Sequence, residues 1–236
     1  MSDKLINILS TRPLPGDIID EAFSKGIQID TISFIETAPI LSIEIQQEIE
    51  QALLQRIIVI FTSMNAVEAV ANEMHGMIPD WEIYCIGPQT SKKVIEYFGE
   101  NSLKGTAPYA EELAALIIEN EDPQDIYFFC GSLRRDVLPA KLSEYGFNVW
   151  EIEVYQTNEL PVRIEKNYAG ILFYSPSAVR SFFKKNKVDG HSLLFAIGET
   201  TAAEIKLYCS NPVIIADEPV KESLARQSME YFYAVE

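Results

Sequence analysis

Cysteine is scarce in this chain: Cys85, Cys130 and Cys209 are the only three in 236 residues. They are odd in number, far apart and without a CxxC pair, which excludes a disulfide framework and a zinc ribbon and fits a reducing compartment. Cys85 and Cys130 lie in the apolar runs IYCIG and IYFFCG and read as small buried residues. Histidine is rarer still. His75 and His191 stand near the ends of expected helices in polar company, and no HExxH or metal-spaced Cys/His cluster occurs, so no metal site is expected. GxxxxGK[ST], GxGxxG and GxSxG are all absent, which removes the phosphate-loop, dinucleotide and nucleophile-elbow classes. Carboxylates are plentiful, yet none forms an isolated pair in an apolar stretch, so a two-carboxylate mechanism has no support. The longest apolar run near the middle, IIVIF, falls far short of the roughly 20 residues a membrane helix needs, and MSDKLINILS lacks the pattern of a signal peptide. The expectation is a soluble, cytoplasmic protein without membrane contact. Basic residues are also few: Lys and Arg total 19 against 35 Asp and Glu, a net charge of −16. That excludes the nucleic-acid backbone as a main partner. A small anion is still compatible, because helix N-termini and a few arginines make a cleft locally electropositive on an acidic chain. An enzyme with this inventory works without metal, cofactor or covalent nucleophile. It relies on positioning, backbone hydrogen bonds and a phenol or guanidinium.

What is present is a regular alternation. LINILS (5–10), IQIDTISFI (27–35), RIIVIFT (56–62), WEIYCIG (81–87), DIYFFCG (125–131), NVWEIEVYQ (148–156), GILFYS (170–175), LLFAIG (193–198) and PVIIA (212–216) are short, rich in Ile, Val, Phe and Tyr, and read as strands. Several are apolar throughout, as strands covered on both faces are. Between them apolar residues recur with helical spacing, as at Val67, Val70, Ala71 and Met74. Strand–helix–strand alternation predicts parallel sheets with helices on both faces. No Gly/Ser linker or low-complexity stretch interrupts the pattern.

The chain also repeats itself. FTSMNAVEAV (61–70) returns as FYSPSAVRSF (173–182), IGPQTSKKV (86–94) as IGETTAAEI (197–205), and GIQIDTISFIET (26–37) as GFNVWEIEVYQT (146–157). A long period present twice predicts two similar domains rather than a solenoid. In both copies a strand runs into Ser or Thr and then a helix. Ligands of open α/β sheets bind beyond the strand carboxyl ends, and helix N-termini favour anions, so the repeat predicts a cleft between the domains suited to a polyanion. Thr62, Ser63, Thr90, Ser175, Ser177, Thr200 and Thr201 equally fit plain N-caps, a role that still exposes neighbouring N–H groups.

Taken in order, STRPLP (10–15), IVIFTSMNAVEA (58–69), IGPQT (86–90), FFCGSLRRDVLP (128–139), VYQT (154–157), FYSPSAV (173–179) and IGETTA (197–202) resemble the uroporphyrinogen-III synthase family over nearly the full length. The resemblance implies an α/β fold of two similar doubly wound parallel-sheet domains joined by a two-stranded connector. The first domain would be 1–35 plus 157–236, the second 41–150, with connectors at about 35–41 and 150–157. It implies a cofactor-free lyase that closes the linear tetrapyrrole hydroxymethylbilane into uroporphyrinogen III, inverting ring D and releasing water. The partners implied are that small molecule, a transient hand-over from the upstream deaminase, and no second subunit. Because the substrate also closes spontaneously to isomer I, holding one shape is the dominant demand.

The family's motif tyrosine falls on Tyr155, where a phenol would donate to the leaving hydroxyl; the same residue also reads as an aromatic packed at a hinge. Thr62, Ser63, Gly131, Ser132, Ser175, Ser177 and Thr200 become candidates for binding the substrate's acetate and propionate groups, with Thr90 of the same kind. Arg12 and Arg134 become candidate carboxylate forks, while Arg135 reads equally as a solvated helix residue. Gly131 allows either close approach of a ligand or a strand-end turn. The copies differ: Tyr174 stands opposite Thr62, Ile35 opposite Tyr155, and Glu199 opposite Pro88. A two-domain protein that binds a small anionic ligand without catalysis fits the same repeat, as does a family member turned regulatory module. A flavodoxin-like redox protein fits poorly, for want of a flavin-phosphate loop.

Overall fold

The computed structural model describes residues 5–233. Their strands are β1 (Ile6–Ser10), β2 (Ile27–Thr31), β3 (Ile35–Pro39), β4 (Ile57–Phe61), β5 (Trp81–Ile86), β6 (Leu103–Ala107), β7 (Asp125–Gly131), β8 (Asn148–Glu159), β9 (Gly170–Phe173), β10 (Leu193–Ala196) and β11 (Val213–Ile215). The helices are α1 (Gly16–Ser24), α2 (Ile43–Leu53), α3 (Met64–Asn72), α4 (Pro88–Phe98), α5 (Ala110–Asn120), α6 (Val137–Glu144), α7 (Pro176–Phe183), α8 (Glu199–Lys206) and α9 (Lys221–Tyr233). No helix among the described residues is long and apolar enough to cross a membrane.

The chain divides into two compact units. One runs to Glu36 and resumes at Asn158; the other is Thr37–Thr157. The first holds a five-stranded sheet ordered β11-β10-β9-β1-β2, parallel throughout. The second holds a six-stranded sheet ordered β3-β8-β7-β4-β5-β6. Without β3 the two orders are the same: β9, β10, β11, β1 and β2 take the places of β4, β5, β6, β7 and β8. Both sheets carry helices on both faces, so each unit is doubly wound. In the Thr37–Thr157 unit, α2, α3 and α4 supply Ile49, Leu53, Val67, Val70 and Val94 to one core, while α5 and α6 supply Leu113, Ile117, Leu138 and Leu142 to the other. In the other unit α7 and α8 cover one face and α1 and α9 the opposite one. Apolar β-branched and aromatic strands buried on both faces are what the near-continuous hydrophobic runs require.

Three elements differ from the sequence expectation. The run 27–35 is two strands, not one. It breaks at Ile32–Phe34, where fully buried Phe34 packs edge-on to Phe182 at 5.2 Å, and the chain resumes as β3 beside β8. The pair is antiparallel: Ile40 N–H donates to Val154 O (2.9 Å) and Leu160 N–H to Phe34 O (2.8 Å). β8 extends to Glu159, past the expected end. β6 was not legible at all, because LKGTA has the polar make-up of an edge strand. Gly105 is required there: a Cβ would meet Leu116 Cδ2 at 2.7 Å and the Tyr84 ring at 2.9 Å.

Candidate active site

The Thr37–Thr157 unit carries a cavity of about 380 Å³ at the carboxyl ends of its strands. Its lining combines apolar Ile86, Phe128, Leu133 and Leu138 with polar Thr62, Ser63, Arg134, Arg135, Glu111 and Tyr155. The local sequence explains the opening. β4 ends on Phe61, and the next residue on the same face as Ile60 is the small Thr62. Ser63 then caps α3, accepting from Asn65 N–H at 3.1 Å, which leaves other first-turn N–H groups unpaired within the helix. The entry to α5 (Pro108–Ala110) and the turn from β7 into α6 close the other sides.

Tyr155 is half-buried on β8, opposite Gly131 on β7, at a register shift between Cys130 and Gly131. The bulge aims the side chain across the strand end. A Cβ on Gly131 would lie 2.3 Å from Tyr155 Cζ and 2.7 Å from its hydroxyl, so the glycine exists to admit the phenol ring. Backbone bonds fix the arrangement: Ser132 N–H donates to Tyr155 O (3.0 Å), Arg134 N–H to Gly131 O (3.0 Å), and Thr157 N–H to Ser132 Oγ (3.3 Å). The hydroxyls of Tyr84 and Tyr168 donate to Glu121 and Asp30. No such bond ties the Tyr155 hydroxyl among the described residues. Its ring also borders a second, smaller cavity of about 130 Å³ lined by Thr37, Asn65, Glu68 and Asn72.

The two arginines of the turn differ. The Arg134 Nε donates to Glu151, and its Nη1 lies 3.8 Å from Glu153 and 3.9 Å from Asp136. Glu151 in particular holds the Arg134 guanidinium above its ordinary range. It enters the site already paired with carboxylates. Arg135 is exposed, lines the same cavity and has no ion-pair partner among the described residues. Two adjacent arginines in a sequence carry no signal for which one is paired. Cys130, beneath the site, is fully buried, and burial pushes its thiol up to about 12, so it is no nucleophile.

Of the sequence candidates, Thr62, Ser63, Gly131, Arg134 and Tyr155 come together at this cavity. Ser132 stands beside it, its hydroxyl accepting from Thr157. Thr90 is on the buried side of α4 and does not line it. Arg12, Ser175, Ser177 and Thr200 belong to the other unit. There Ser175 caps α7, accepting from Ala178 N–H at 3.2 Å with Ser177 Oγ 3.1 Å away; Thr200 and Glu199 are exposed in the first turn of α8; and Arg12 is half-buried. Sequence reasoning left Arg135 open between a carboxylate fork and a solvated helix residue, and it did not single out Tyr109, Leu133 or Ile86.

A doubly wound α/β chain of two units, with polar groups gathered at strand carboxyl ends, is the class of protein that fold and site define. Comparison with known proteins is specific. The family model for uroporphyrinogen-III synthase HemD matches residues 18–226, and the chain belongs to the uroporphyrinogen-III synthase family. It is 29% identical over 119 residues to the uroporphyrinogen-III synthase of Saccharomyces cerevisiae, a match spanning 43% of this chain and 43% of that protein. Its fold is similar to a crystal structure of a mutant uroporphyrinogen III synthase from the extremely thermophilic bacterium Thermus thermophilus (TM-score 0.70, 14% identity, 98% of this chain and 100% of that one). It is also similar to that of uroporphyrinogen-III synthetase from Helicobacter pylori (TM-score 0.67, 16% identity, 96% and 99%).

Proposed function

We propose that this protein is an active uroporphyrinogen-III synthase, closing hydroxymethylbilane to uroporphyrinogen III with inversion of ring D and loss of water, without a cofactor. The observation that carries the proposal is Tyr155: a phenol with no partner of its own among the described residues, seated on Gly131 in the lining of a cavity that combines polar and apolar side chains. In this role its O–H donates to the departing hydroxyl, which leaves as water. The substrate's carboxylates take the unpaired N–H groups where strands enter helices, at Ser63–Met64 and Tyr109–Ala110 in one unit and at Ser177 and Gly198–Glu199 in the other. Thr62, Ser132, Ser177 and Thr200 add hydroxyls, and Arg12 a cation. Residues at about 35–41 and 150–157 serve as a two-stranded connector between a domain of 1–35 plus 157–236 and a domain of 41–150. The protein works as a cytoplasmic monomer and receives its substrate from the upstream deaminase.

The test is isomer analysis. Hydroxymethylbilane is generated in place by its deaminase, this protein is added, and the oxidised porphyrins are separated by chromatography. Isomer III is the expected product. Isomer I alone, from folded protein, overturns catalysis and leaves a ligand-binding role for the same residues.

A further inference from the structure

The place in the sister unit equivalent to the cavity of the Thr37–Thr157 unit is held by a buried side chain, Tyr174. The two sheets share one strand order, so equivalent places are defined by register: Phe61 pairs with Cys85 as Phe173 pairs with Ala196. Thr62 therefore corresponds to Tyr174. Tyr174 is buried among Leu14, Ile18 and Leu172, and its hydroxyl accepts from Ser10 Oγ at 3.3 Å. The aromatic ring occupies the room that Thr62 leaves empty. At about 380 Å³ the open cavity is at the low end of the roughly 300–1,000 Å³ range of ligand pockets. Its apolar lining suits one flat ring, not a whole tetrapyrrole.

Charge sharpens this. Three carboxylates surround the Arg134 guanidinium, whereas Arg135 reaches the cavity unpaired among the described residues. Glu111 is also in the lining, so without a free cation the cavity would repel an acid. We propose that this cavity seats a single pyrrole ring, that Arg135 rather than Arg134 binds a carboxylate of its side chains, and that Tyr174 denies a ring the equivalent seat in the other unit. The choice of a pyrrole rests on the synthase reading; the choice of Arg135 rests on the geometry alone.

The experiment titrates a monopyrrole bearing acetate and propionate chains into the isotopically labelled full chain, followed by amide NMR. Saturable shifts are expected at Thr62, Leu133 and Arg135 and not around Tyr174. Arg135→Gln, at an exposed position, should weaken binding at least tenfold; Arg134→Gln should weaken it less than threefold. In turnover, the loss in Arg135→Gln should fall on KM more than on kcat. Thr62→Tyr, importing the sister unit's residue, should abolish binding; should it fail to fold, Arg135→Gln still decides. Equal affinity in Arg135→Gln, a larger loss in Arg134→Gln, or no saturable shift in this unit overturns the proposal. Isomer analysis on the same samples separates the two readings. Isomer III with a flat titration removes the seat and keeps the synthase. Arg135-dependent binding with isomer I alone keeps the seat and removes the synthase.

Discussion

The two units are the same strand diagram with opposite solutions at one place. In one, the strand after the repeat's first phenylalanine continues with Thr62, and a cavity opens above Phe128. In the other it continues with Tyr174, and the neighbouring strand carries Ser10 where β7 carries Phe128. Large and small residues have changed sides. One arrangement fills the strand end with a ring; the other leaves room and borders it with a phenol and a guanidinium that is unpaired among the described residues. A duplicated fold thus need not carry duplicated sites, because one side chain decides whether the strand end is core or pocket.

The sharpest way to break the comparison is Tyr155→Phe. It keeps the ring on Gly131 and removes only the donor, so isomer III turnover should fall about 10²–10⁴-fold, the usual contribution of a positioned acid, with product affinity little changed. Unaltered turnover would return Tyr155 to a packing role. Next is Tyr174→Thr, which makes the filled unit imitate the open one. Removing a buried ring should cost about 3 kcal/mol in urea unfolding, and amide shifts that the unaltered protein lacks should appear around position 174 on monopyrrole titration. Gly131→Ala follows. The new Cβ collides with the Tyr155 ring, which must shift, so about 1–3 kcal/mol of stability and much of the turnover should be lost together.

The smallest effect is in pH. Burial, with Glu222 adding to it and Ser10 opposing, pushes the Tyr174 hydroxyl from 10.0 up to about 12, and burial pushes the Cys85 thiol from 9.0 to about 11. These groups keep their protons in the folded state after the unfolded chain has lost them. Their stabilisation is complete below about pH 9 and is lost as pH rises through about 12. Unfolding free energy should therefore slope downward across that window, and less steeply above about pH 10 in Tyr174→Phe. An identical slope in that variant would show that Tyr174 is not the buried group it is taken for.

Much of this is legible in the sequence. The strand runs were visible because they are apolar and β-branched, and the hydroxyls at 62–63 and 175–177 because they stand where a strand period gives way to a helical one. Tyr155 was visible only through the family motif. What escaped did so for physical reasons. β6 is an edge strand whose polar residues mimic a loop, and its Gly105 is explained only by Leu116 on α5 and the Tyr84 ring on β5. The break at 32–34 depends on Phe34 finding Phe182, far along the chain. Gly131 read as either a turn or an approach path for a ligand, and its reason proved to be Tyr155. Arg134 and Arg135 are neighbours in a turn, and Glu151 and Glu153 on β8, with Asp136, pair the first of them.

By itself the sequence determined the α/β class, the twofold repeat and the residue types at the strand ends, because these follow from local pattern: period, burial tendency and capping chemistry. Local pattern left open how the halves are shared out, which the sequence offered only through the family resemblance. β1 and β2 leave the β4–β6 that follow them and join β9–β11, while β7 and β8 join β4–β6. Only the tertiary structure decided which of two equivalent strand ends is open and which of two adjacent arginines is unpaired among the described residues. Those outcomes depend on hydrogen bonds, ring contacts and ion pairs between residues far apart in the chain, and no local pattern encodes them.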